Sequence, residues 1–357
     1  MSPLAPGSVI GILGGGQLGR LMALEAARLG FDVHIYTPES DSPAGRVAAR
    51  EVTGAYSDTS ALLEFARTCD VVTYEFENIP AAYVTHLLDN DRHVAPGVSS
   101  LETSQDRSLE KNCLQSIGIP TAPFHEISDA TSLEAALSDF DGNGILKTRR
   151  NGYDGKGQVR IQAGKGRKAA LDLALKVPCI LEAYMPFDCE ISVVVARSAR
   201  QTLAYDPSRN IHENGILRRS IVPAGLAQSI IAEAQTMAIR LADALDHIGV
   251  ITLELFVMPD GSLRANEFAP RVHNSGHWTP EACQTGQFEQ HIRAISHWPL
   301  GPVTRHHNAN LVNIMGEDDL DIPAACNRDA RLVSYGKRQA RIGRKMGHLT
   351  YLSPKVG

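Results

Sequence analysis

The feature that most constrains the fold is the stretch of residues 249–279, which predicts a β-hairpin followed by a polar loop. Residues 250–257 are apolar and rich in β-branched side chains, and a Pro-Asp-Gly turn follows them. Residues 262–268 predict the returning strand. The polar loop would therefore lie at the open end of a strand pair.

The turn of this hairpin predicts which residues face each other. We expect a hairpin centred on Pro259 and Asp260. This register places Glu254 opposite Ala265, with Glu267 two positions along on the same face, about 7–8 Å away at the backbone. Two carboxylates on an apolar hairpin repel each other and lose hydration unless a cation lies between them. The pair predicts a Mg²⁺ site, and solvated glutamates on an exposed face are the alternative.

The loop after the hairpin concentrates groups that bind anions. A cation, two imidazoles and several hydrogen-bond donors follow the second strand, namely Arg271, His273, Asn274, Ser275, His277 and Thr279. Beside a metal ion, such a mixture suits the handling of phosphate and a small anion.

Composition excludes several classes of protein. A chain of 357 residues is long enough for two or three domains, and a net charge of −5 with mixed signs does not indicate a nucleic-acid or membrane surface. No apolar run approaches the roughly 18 residues of a membrane span, and residues 1–8 are too short and polar for a signal peptide. The six cysteines are scattered without a C-x-x-C pair, which indicates reduced thiols in the cytoplasm.

The N-terminus predicts a βαβ unit with a glycine-rich turn. A strand over residues 9–13 leads into Gly14, Gly16 and Gly19, which match G-x-G-x-x-G, and a helix over residues 17–29 and a strand over residues 31–37 follow. An NAD site needs an acidic residue at the end of the second strand, where this chain has Tyr-Thr-Pro. Another phosphate-bearing ligand fits better, and a tight packing turn is the alternative.

Two further segments complete the N-terminal part. A buried strand over residues 71–76 ends in Glu75, Glu77 and Asn78, and the carboxyl ends of parallel strands are where such sheets bind ligands. Residues 105–116 predict a helix capped by Ser104, with Leu109, Cys113 and Ile117 on one apolar, inward-facing stripe and with Arg107 and Lys111 on a solvated cationic face. The rigid segment of residues 119–123 indicates a domain boundary.

A lysine strand and a glycine-rich loop predict a phosphate-binding hairpin. Lys147 ends a strand, the glycine-rich residues 152–158 follow, and residues 159–161 resume a strand. Backbone N–H groups of such a loop can fold over phosphates, while Lys147, Arg149 and Arg150 would balance a triphosphate. A surface β-turn with solvated cations is the alternative.

The middle and the end of the chain supply further candidate contacts. Residues 179–185 are apolar around Glu182 and suit an adenine, and Glu190 suits ribose hydroxyls, although either glutamate could cap a turn. Residues 210–220 predict a polar loop, containing His212, that turns into a strand. Residues 280–295 predict one helix. The basic residues 337–348 predict a folded loop between strands that grips a phosphate.

The order of these motifs resembles the ATP-grasp superfamily and, within it, the N5-carboxyaminoimidazole ribonucleotide synthase family. The resemblance rests on GILGGGQLGRLM at 11–22, YEFEN at 74–78, DR…K at 106–111, GYDGKGQ at 152–158, NGILRRS at 214–220, NEFAPRVHNSGHWT at 266–279 and GRKMGHLT at 343–350. These motifs span nearly the whole chain. The run at 266–279 is the most specific of them, and the N-terminal glycine pattern is the least.

The resemblance implies a role for each matching residue. The implied ATP contacts are Arg107, Lys147, the lid residues Gly152, Tyr153, Asp154, Gly155, Lys156, Gly157 and Gln158, the adenine segment Glu182, Ala183, Tyr184 and Met185, then Glu190, His212, Asn266 and Glu267. Glu254 and Glu267 would bind Mg²⁺. The implied catalytic residues are Lys147, Arg271, His273 and Asn274. Substrate contacts would come from Gly16, Gln17, Leu18, Glu75, Asn78, Lys337, Arg344 and Lys345.

The resemblance also implies an α/β fold of ATP-grasp architecture with four parts. These are a Rossmann-like domain (1–103), a lid domain (104–183), a catalytic domain (184–298) and a β-rich segment (299–357) that closes the substrate site. The implied reaction is carboxylation of 5-aminoimidazole ribonucleotide with ATP and bicarbonate, through carboxyphosphate, in de novo purine synthesis. A cytoplasmic homodimer is implied as well. Many ATP-grasp enzymes have an Asn ligand where this chain has Ala269.

Three other functions remain open at this stage. A formate-dependent glycinamide ribonucleotide transformylase has the same superfamily motifs and would turn over different substrates. A nicotinamide-dependent oxidoreductase would account for the glycine motif but not for the Glu254/Glu267 pair or residues 152–158. A non-catalytic nucleotide sensor would not need the metal carboxylates, the lid and the basic loop together.

Overall fold

The computed structural model describes residues 2–152, 156–318, 321, 324–325 and 330–355. Its strands are β1 Val9–Leu13, β2 Asp32–Thr37, β3 Arg50–Thr53, β4 Val71–Tyr74, β5 Phe124–Ile127, β6 Gly144–Thr148, β7 Gln158–Ile161, β8 Cys179–Glu182, β9 Cys189–Arg197, β10 Thr202–Ala204, β11 Ser208–Glu213, β12 Ile216–Val222, β13 Gly249–Val257, β14 Leu263–Ala269, β15 His307–Met315, β16 Ala330–Ser334 and β17 Lys345–Pro354. Its helices are α1 Gln17–Arg28, α2 Thr59–Arg67, α3 Ala81–Asp89, α4 Val98–Ser104, α5 Arg107–Ser116, α6 Ala130–Asp139, α7 Arg167–Ala174, α8 Gln228–Ala244, α9 Thr279–Ala282 and α10 Gln287–Ile295.

The N-terminal sheet is parallel, with the strand order β3-β2-β1-β4. The apolar run of β1 is almost wholly buried, as expected for a strand covered on both faces. α1 begins at Gln17, directly after the glycine turn, and packs its buried stripe against this sheet. The βαβ unit predicted from the glycine pattern is therefore confirmed.

A small antiparallel sheet of order β5-β8-β6-β7 follows in the chain. β6 and β7 form the predicted hairpin, with Lys147 paired to Gln158. α6 and α7 pack on this sheet around a separate apolar core that includes Leu133, Leu146 and Leu181. The glycine-rich loop therefore projects from a compact support. Tyr153, Asp154 and Gly155 at its tip lie outside the described residues.

The largest sheet has nine strands and holds the opening hairpin of the sequence at one edge. Its order is β14-β13-β9-β11-β12-β15-β17-β16, and β10 pairs with β9. The last three of these strands come from the C-terminal segment, which extends the same sheet through the β12–β15 pairing. The mixed α/β class with a parallel N-terminal sheet and an antiparallel C-terminal sheet is thus as predicted, whereas the domain boundaries stay a prediction.

The register predicted for the opening hairpin is wrong. Leu255, not Glu254, faces Ala265, and Glu254 directly faces Glu267. The connection is one residue longer than predicted, since the Met258 N–H donates to the carbonyl of Ser262, not Gly261, at 2.9 Å. The register then shifts again between Glu254 and Leu255. Both changes bring the two glutamates closer together than the sequence predicted.

The helix predicted over residues 105–116 differs in its cap and in its buried face. It begins at Arg107, and Asp106 caps it by accepting the Ser108 N–H at 3.0 Å, whereas Ser104 ends α4. Leu109, predicted to be inward, is 46 % exposed, and Lys111, predicted to be solvated, is 0 % exposed. The helix therefore turns its charged face inward.

Two other segments each contain two secondary-structure elements where fewer were predicted. The predicted loop at residues 210–220 is a hairpin made by β11 and β12. The helix predicted over residues 280–295 is two helices, α9 and α10, because Gly286 begins the second as an N-cap in extended conformation. Within the described part of the chain, no helix is long and apolar enough to cross a membrane.

Candidate active site

A single cleft of about 760 Å³ lies where the three sheets meet. The glycine turn, α5, the β6–β7 hairpin, β9, β11, the β13–β14 hairpin and the loop after it all contribute to its wall. The catalytic and metal candidates Lys147, Glu254, Glu267, Arg271, His273 and Asn274 line it, together with Arg107, Gly152, Lys156, Gly157, Gln158, Tyr184, Glu190, His212, Asn266, Gly16, Gln17, Leu18, Glu75 and Lys345. The structure therefore brings most of the predicted residues into one cavity.

Six other predicted residues among those that the structure describes do not line this cleft. Asn78 lines a small adjoining pocket that shares Arg107, Glu254 and Glu267 with the main cleft. Glu182 is buried beneath the cleft. Ala183, Met185, Lys337 and Arg344 do not line it. Their predicted contacts with ligands stay predictions.

α5 contacts β14 through three charged side chains. Arg107 Nη1 lies 2.7 Å from Glu267 Oε2, and Glu110 Oε1 accepts the Phe268 N–H at 2.6 Å. Lys111 Nζ donates to the Asn266 carbonyl at 3.4 Å. Glu110 was not among the predicted site residues, and Lys111 was predicted to be solvated, although their spacing from Arg107 by three and four residues places all three on one helix face.

Electrostatics at this contact keeps one acid neutral and another ionised. Burial and the nearby Glu267 carboxylate raise the pKa of Glu110 to about 8. Burial alone would raise the pKa of Glu267 too, but Arg107 and Lys147 lower it to about 2. Glu267 is therefore a carboxylate at neutral pH and is available to a cation.

Lys147 is held by a buried carboxylate that it shares with a second lysine. Glu182 Oε2 lies 3.0 Å from Lys147 Nζ, and Glu182 Oε1 lies 3.2 Å from Lys111 Nζ. Lys147 Nζ also donates to the Asn266 side-chain oxygen at 3.3 Å. Although burial opposes ionisation, the two ammonium groups lower the pKa of Glu182 to about 2. The Glu182 side chain thus forms ion pairs with both lysines.

The two metal candidates are each anchored by a base on a neighbouring segment. Glu254 Oε1 lies 3.1 Å from His273 Nε2, and Glu267 is held by Arg107 as described above. The Ser275 N–H donates to His273 Nδ1 at 3.3 Å, so Nε2 carries the imidazole proton and faces Glu254. His273, predicted to act on a substrate, therefore also fixes a carboxylate.

Arg271 is fixed by an acidic residue at the end of the N-terminal sheet. Its Nε donates to Glu77 Oε2, and its Nη1 donates to the Val272 carbonyl at 3.0 Å. Burial disfavours the charged form, but Glu77 raises the pKa of Arg271. The guanidinium thus lies charged in the cleft wall between the N-terminal sheet and the large sheet.

One end of the cleft has a flat apolar surface and a ribose-sized polar corner. The Phe187 and Phe256 rings stack with centroids 4.4 Å apart, and Arg160 lies 4.5 Å from the centroid of Tyr184. Glu190 Oε2 and His212 Nδ1 lie 2.8 Å apart, and Glu190 raises the pKa of His212 against the effect of burial. Phe187, between β8 and β9, and Phe256 and Arg160, on strands, were missed because isolated aromatic and basic residues carry no motif.

At the other end, Glu75 occupies the anion-binding position of the glycine turn. Its carboxylate accepts the Gly16 N–H, and it accepts the Gly19 N–H at 2.5 Å. The prediction that this turn binds the phosphate of a ligand is therefore wrong for these two amide groups. A Cβ on Gly16 would lie 2.6 Å from Glu75 Oε1, so a larger residue here would displace the carboxylate from these amide groups.

A hydrogen-bonded chain joins the glycine turn to the basic loop near the C-terminus. Lys337 Nζ donates to Gln17 Oε1 at 2.5 Å and to the Lys345 carbonyl at 2.7 Å. Gln17 Nε2 in turn donates to Asn274 Oδ1 at 3.3 Å. The predicted loop between strands is confirmed. Lys345 lines the cleft, whereas Arg344 Nη1 donates to the Gln339 carbonyl.

His277 and Thr279 point away from the cleft into the core. The His277 ring packs against Phe288, Tyr335 and His348. Thr279 Oγ1 donates to the Gly276 carbonyl at 2.7 Å and accepts the Gln287 N–H. Although both residues belong to the polar run that follows the hairpin, they pack behind the site and do not face a ligand.

Comparison with protein families divides the chain among three matches. Residues 8–105 match the ribonucleotide synthetase preATP-grasp domain, and residues 112–288 match the ATP-grasp domain. Residues 309–357 match the phosphoribosylaminoimidazole carboxylase C-terminal domain. These ranges include the glycine turn, the β6–β7 and β13–β14 hairpins and the basic loop, but not Arg107.

Individual relatives agree with these matches over the whole length. The N5-carboxyaminoimidazole ribonucleotide synthase of Brucella melitensis is 48% identical, covering 99% of this chain and 98% of the relative. The crystal structure of an N5-carboxyaminoimidazole ribonucleotide synthetase complexed with ADP is 40% identical with a TM-score of 0.95, covering 98% of this chain and 94% of that one. The Aspergillus clavatus enzyme in complex with ADP and 5-aminoimidazole ribonucleotide is 29% identical with a TM-score of 0.92, covering 98% and 94% of the two chains. The chain thus belongs to the N5-carboxyaminoimidazole ribonucleotide synthase family of ATP-grasp ligases.

Proposed function

We propose that this protein carboxylates 5-aminoimidazole ribonucleotide to N5-carboxyaminoimidazole ribonucleotide in purine biosynthesis, with ATP and bicarbonate as co-substrates. The observation that carries the proposal is the single cleft in which a phosphate-binding lysine, two facing carboxylates and a cationic loop meet. Membership of the family supports the same activity. Neither a nicotinamide oxidoreductase nor a nucleotide sensor accounts for this combination.

ATP would bind with its base at the apolar end of the cleft. The stacked rings of Phe187 and Phe256 offer a flat wall for adenine, beside residues 182–185. Glu190 would accept hydrogen bonds from ribose hydroxyls, with His212 beside it. The triphosphate would then extend toward Lys147 and Arg107, whose positive charges attract it.

Mg²⁺ fits between the triphosphate and the facing glutamates. Glu254 and Glu267 present carboxylate oxygens on neighbouring strands, which are the ligands that Mg²⁺ prefers. No cluster of three or more His, Cys, Asp or Glu in the described residues could hold a metal ion, and Ala269 stands where many ATP-grasp enzymes have an Asn ligand. Phosphate oxygens and water would therefore complete the coordination. The ion would neutralise phosphate charge during transfer.

The chemistry that we propose has two steps. A bicarbonate oxygen attacks the γ-phosphorus, the bond to the ADP oxygen breaks, and carboxyphosphate and ADP form. The exocyclic amine of the ribonucleotide then forms a C–N bond with the carboxyl carbon, directly or through CO₂, while inorganic phosphate leaves and the amine loses a proton. Lys147 and Arg271 would stabilise the phosphate and carboxylate charges that develop.

Residues around the second half of the cleft would bind and orient the ribonucleotide. Lys337 and Lys345 would attract its phosphate, while the glycine turn supplies the wall beside them. His273 and Asn274 would position bicarbonate or the reacting amine. The loop over residues 152–158 would close above the phosphates and exclude water, because carboxyphosphate hydrolyses readily.

We also propose a cytoplasmic location and a homodimer. Reduced thiols support the first, because the described cysteines, Cys69, Cys113, Cys179, Cys189 and Cys283, are all free. Family resemblance supports the second. Light scattering after gel filtration at several concentrations would measure the mass, and a mass of one chain at all of them would contradict the dimer.

The decisive assay is phosphate release from MgATP. We expect release to require Mg²⁺ and to rise only when both bicarbonate and 5-aminoimidazole ribonucleotide are present. A Lys147→Met variant should lose this release, and a Lys168→Met variant, altered at an exposed lysine, should retain it. Release that is indifferent to both co-substrates would overturn the substrate assignment. Formate with glycinamide ribonucleotide, supplied as a parallel reaction, should give no turnover.

A further inference from the structure

The feature behind this inference is the buried lysine of α5 that shares a carboxylate with Lys147. Lys111 is 0 % exposed, and none of the roles proposed above uses it. Its Nζ lies 3.2 Å from Glu182 Oε1, while Lys147 Nζ lies 3.0 Å from Glu182 Oε2. Burial of an ammonium group is costly unless it is paired. Such a residue therefore needs an explanation.

Asn266 also contacts both lysines, on the side opposite Glu182. Its backbone oxygen accepts from Lys111 at 3.4 Å, and its side-chain oxygen accepts from Lys147 at 3.3 Å. Both lysines are thus held between β8 and β14 by the same two residues. Lys147 lines the cleft, whereas Lys111 lies behind it.

We propose that Lys111 is a positioning residue that neutralises Glu182 and so leaves the positive charge of Lys147 available to the phosphates of ATP. Two ammonium groups and one carboxylate give this buried cluster one net positive charge. Without Lys111, the carboxylate would pair with Lys147 alone, and the cluster would be neutral. The phosphates would then meet an ion pair instead of a cation.

The charge states of the cluster support this balance. The two lysines hold the pKa of Glu182 at about 2 against the effect of burial, so the carboxylate stays ionised at neutral pH. Burial lowers the pKa of Lys111, and Glu182 opposes that effect. Glu182 therefore stabilises the charge of Lys111, whereas Lys147 opposes it, and removal of one of the three groups changes the net charge that the remaining pair presents to the cleft.

The test is nucleotide binding to three variants, measured by calorimetry with ATP, ADP and adenosine in the presence of Mg²⁺. Lys111→Met should weaken binding of ATP and ADP by about 10- to 100-fold, the effect of one charged hydrogen bond, and leave adenosine binding unchanged. Lys111→Met combined with Glu182→Gln restores one net positive charge and should recover ATP binding to within about threefold. Glu182→Gln alone should not weaken binding of the phosphates.

A role for Lys111 in packing alone predicts a different pattern. The charge-balanced double variant would then bind ATP no better than Lys111→Met, because the lost packing contacts are not replaced. Lys176→Met, altered at an exposed lysine, serves as the matched control and should bind like the unaltered protein. If Lys111→Met does not fold, the double variant decides: normal adenosine binding with weak ATP binding would overturn the proposal.

The inference rests on the proposed use of ATP at this cleft, but the experiment separates the two. Calorimetry needs no turnover, so a wrong carboxylation substrate would leave the binding pattern intact. Conversely, a Lys111→Met protein that binds ATP normally would overturn the role of Lys111 and leave the proposed reaction untouched.

Discussion

Mild acid is expected to destabilise this protein through two buried histidines that join the N-terminal sheet to the large sheet. His291 Nδ1 accepts the Val250 N–H at 3.1 Å, and its Nε2 lies 2.8 Å from Thr73 Oγ1 on β4. His247 Nε2 lies 3.0 Å from the Val250 carbonyl oxygen. Both imidazoles are thus tied to one residue of β13 and are 0 % exposed.

The hydrogen bonds explain why neither ring accepts a second proton readily. A proton on His291 Nδ1 would point at a backbone N–H, which cannot turn round to accept it. His247 Nδ1 lies 2.9 Å from Ser100 Oγ, a hydroxyl that can rotate and accept. Burial lowers both pKa values, to about 3 for His291 and to about 4 for His247. The lower value belongs to the ring with the rigid donor.

The size of the effect follows from proton linkage. The folded pKa values lie below the unfolded value of 6.5, so the unfolded chain binds more protons, and stability is lost as the pH falls below 6.5. At pH 5, about 1.5 pH units below that value, each imidazole costs about 2 kcal/mol. The pair together removes about 4 kcal/mol, a large share of a typical free energy of unfolding.

Urea unfolding at pH 8 and pH 5 would measure this loss. His291→Gln removes one titrating ring of this pair and leaves the other buried histidines, His277 and His348, in place. The variant should therefore lose about 2 kcal/mol less than the unaltered protein between the two pH values. His306→Gln, altered at an exposed histidine, should show the full loss. An equal loss in His291→Gln and the unaltered protein would refute the reasoning.

Three substitutions in the cleft have defined expected outcomes. Glu267→Gln should lower MgATP-dependent phosphate release about 100-fold or more, measured against Glu233→Gln at an exposed site; equal rates would contradict a metal role. Arg271→Ala should lower the carboxylation rate about 10²- to 10³-fold, and an unchanged rate would remove Arg271 from the mechanism. Gly16→Ala should lower the free energy of unfolding by about 1–3 kcal/mol, because its Cβ would clash with Glu75; unchanged thermal melting would show that the turn relaxes instead.

The sequence predicted the βαβ unit and the lysine hairpin well because their signals are local. Gly14, Gly16 and Gly19 lie in a tight turn, and β6 and β7 follow directly from the strand pattern around Lys147. In each case, periodicity and turn residues within about 15 positions determine the element. The proposed ATP site depends on the second of these elements, which holds Lys147.

The buried face of α5 could not be predicted in the same way. Local periodicity assigned Leu109 to the core and Lys111 to solvent, and the structure has the opposite. The partners that make a charged face favourable are Glu182 and β14, which are distant in the chain. Long-range pairing overrode the apolar pattern, and the same holds for Glu75, whose partners in the glycine turn lie 56 and 59 residues away.

The hairpin register failed for a more local reason. A period-2 strand pattern does not show where an extra residue enters one strand, so the shift between Glu254 and Leu255 was invisible. The prediction that the two glutamates share a site nevertheless remains a proposal, and the observed register supports it better than the predicted register does. Direct opposition across β13 and β14 suits a shared cation more closely than the diagonal arrangement.

The way in which the C-terminal strands extend the large sheet bears on how the protein is made. During synthesis, β12 emerges long before β15, so one edge of the growing sheet stays unpaired until β15 has been made. Lys345 arrives later still, with β17. A nascent chain therefore has Lys147 and the β13–β14 hairpin well before Lys345, and the proposed nucleotide and ribonucleotide sites can meet in one cleft only after β17 has been made.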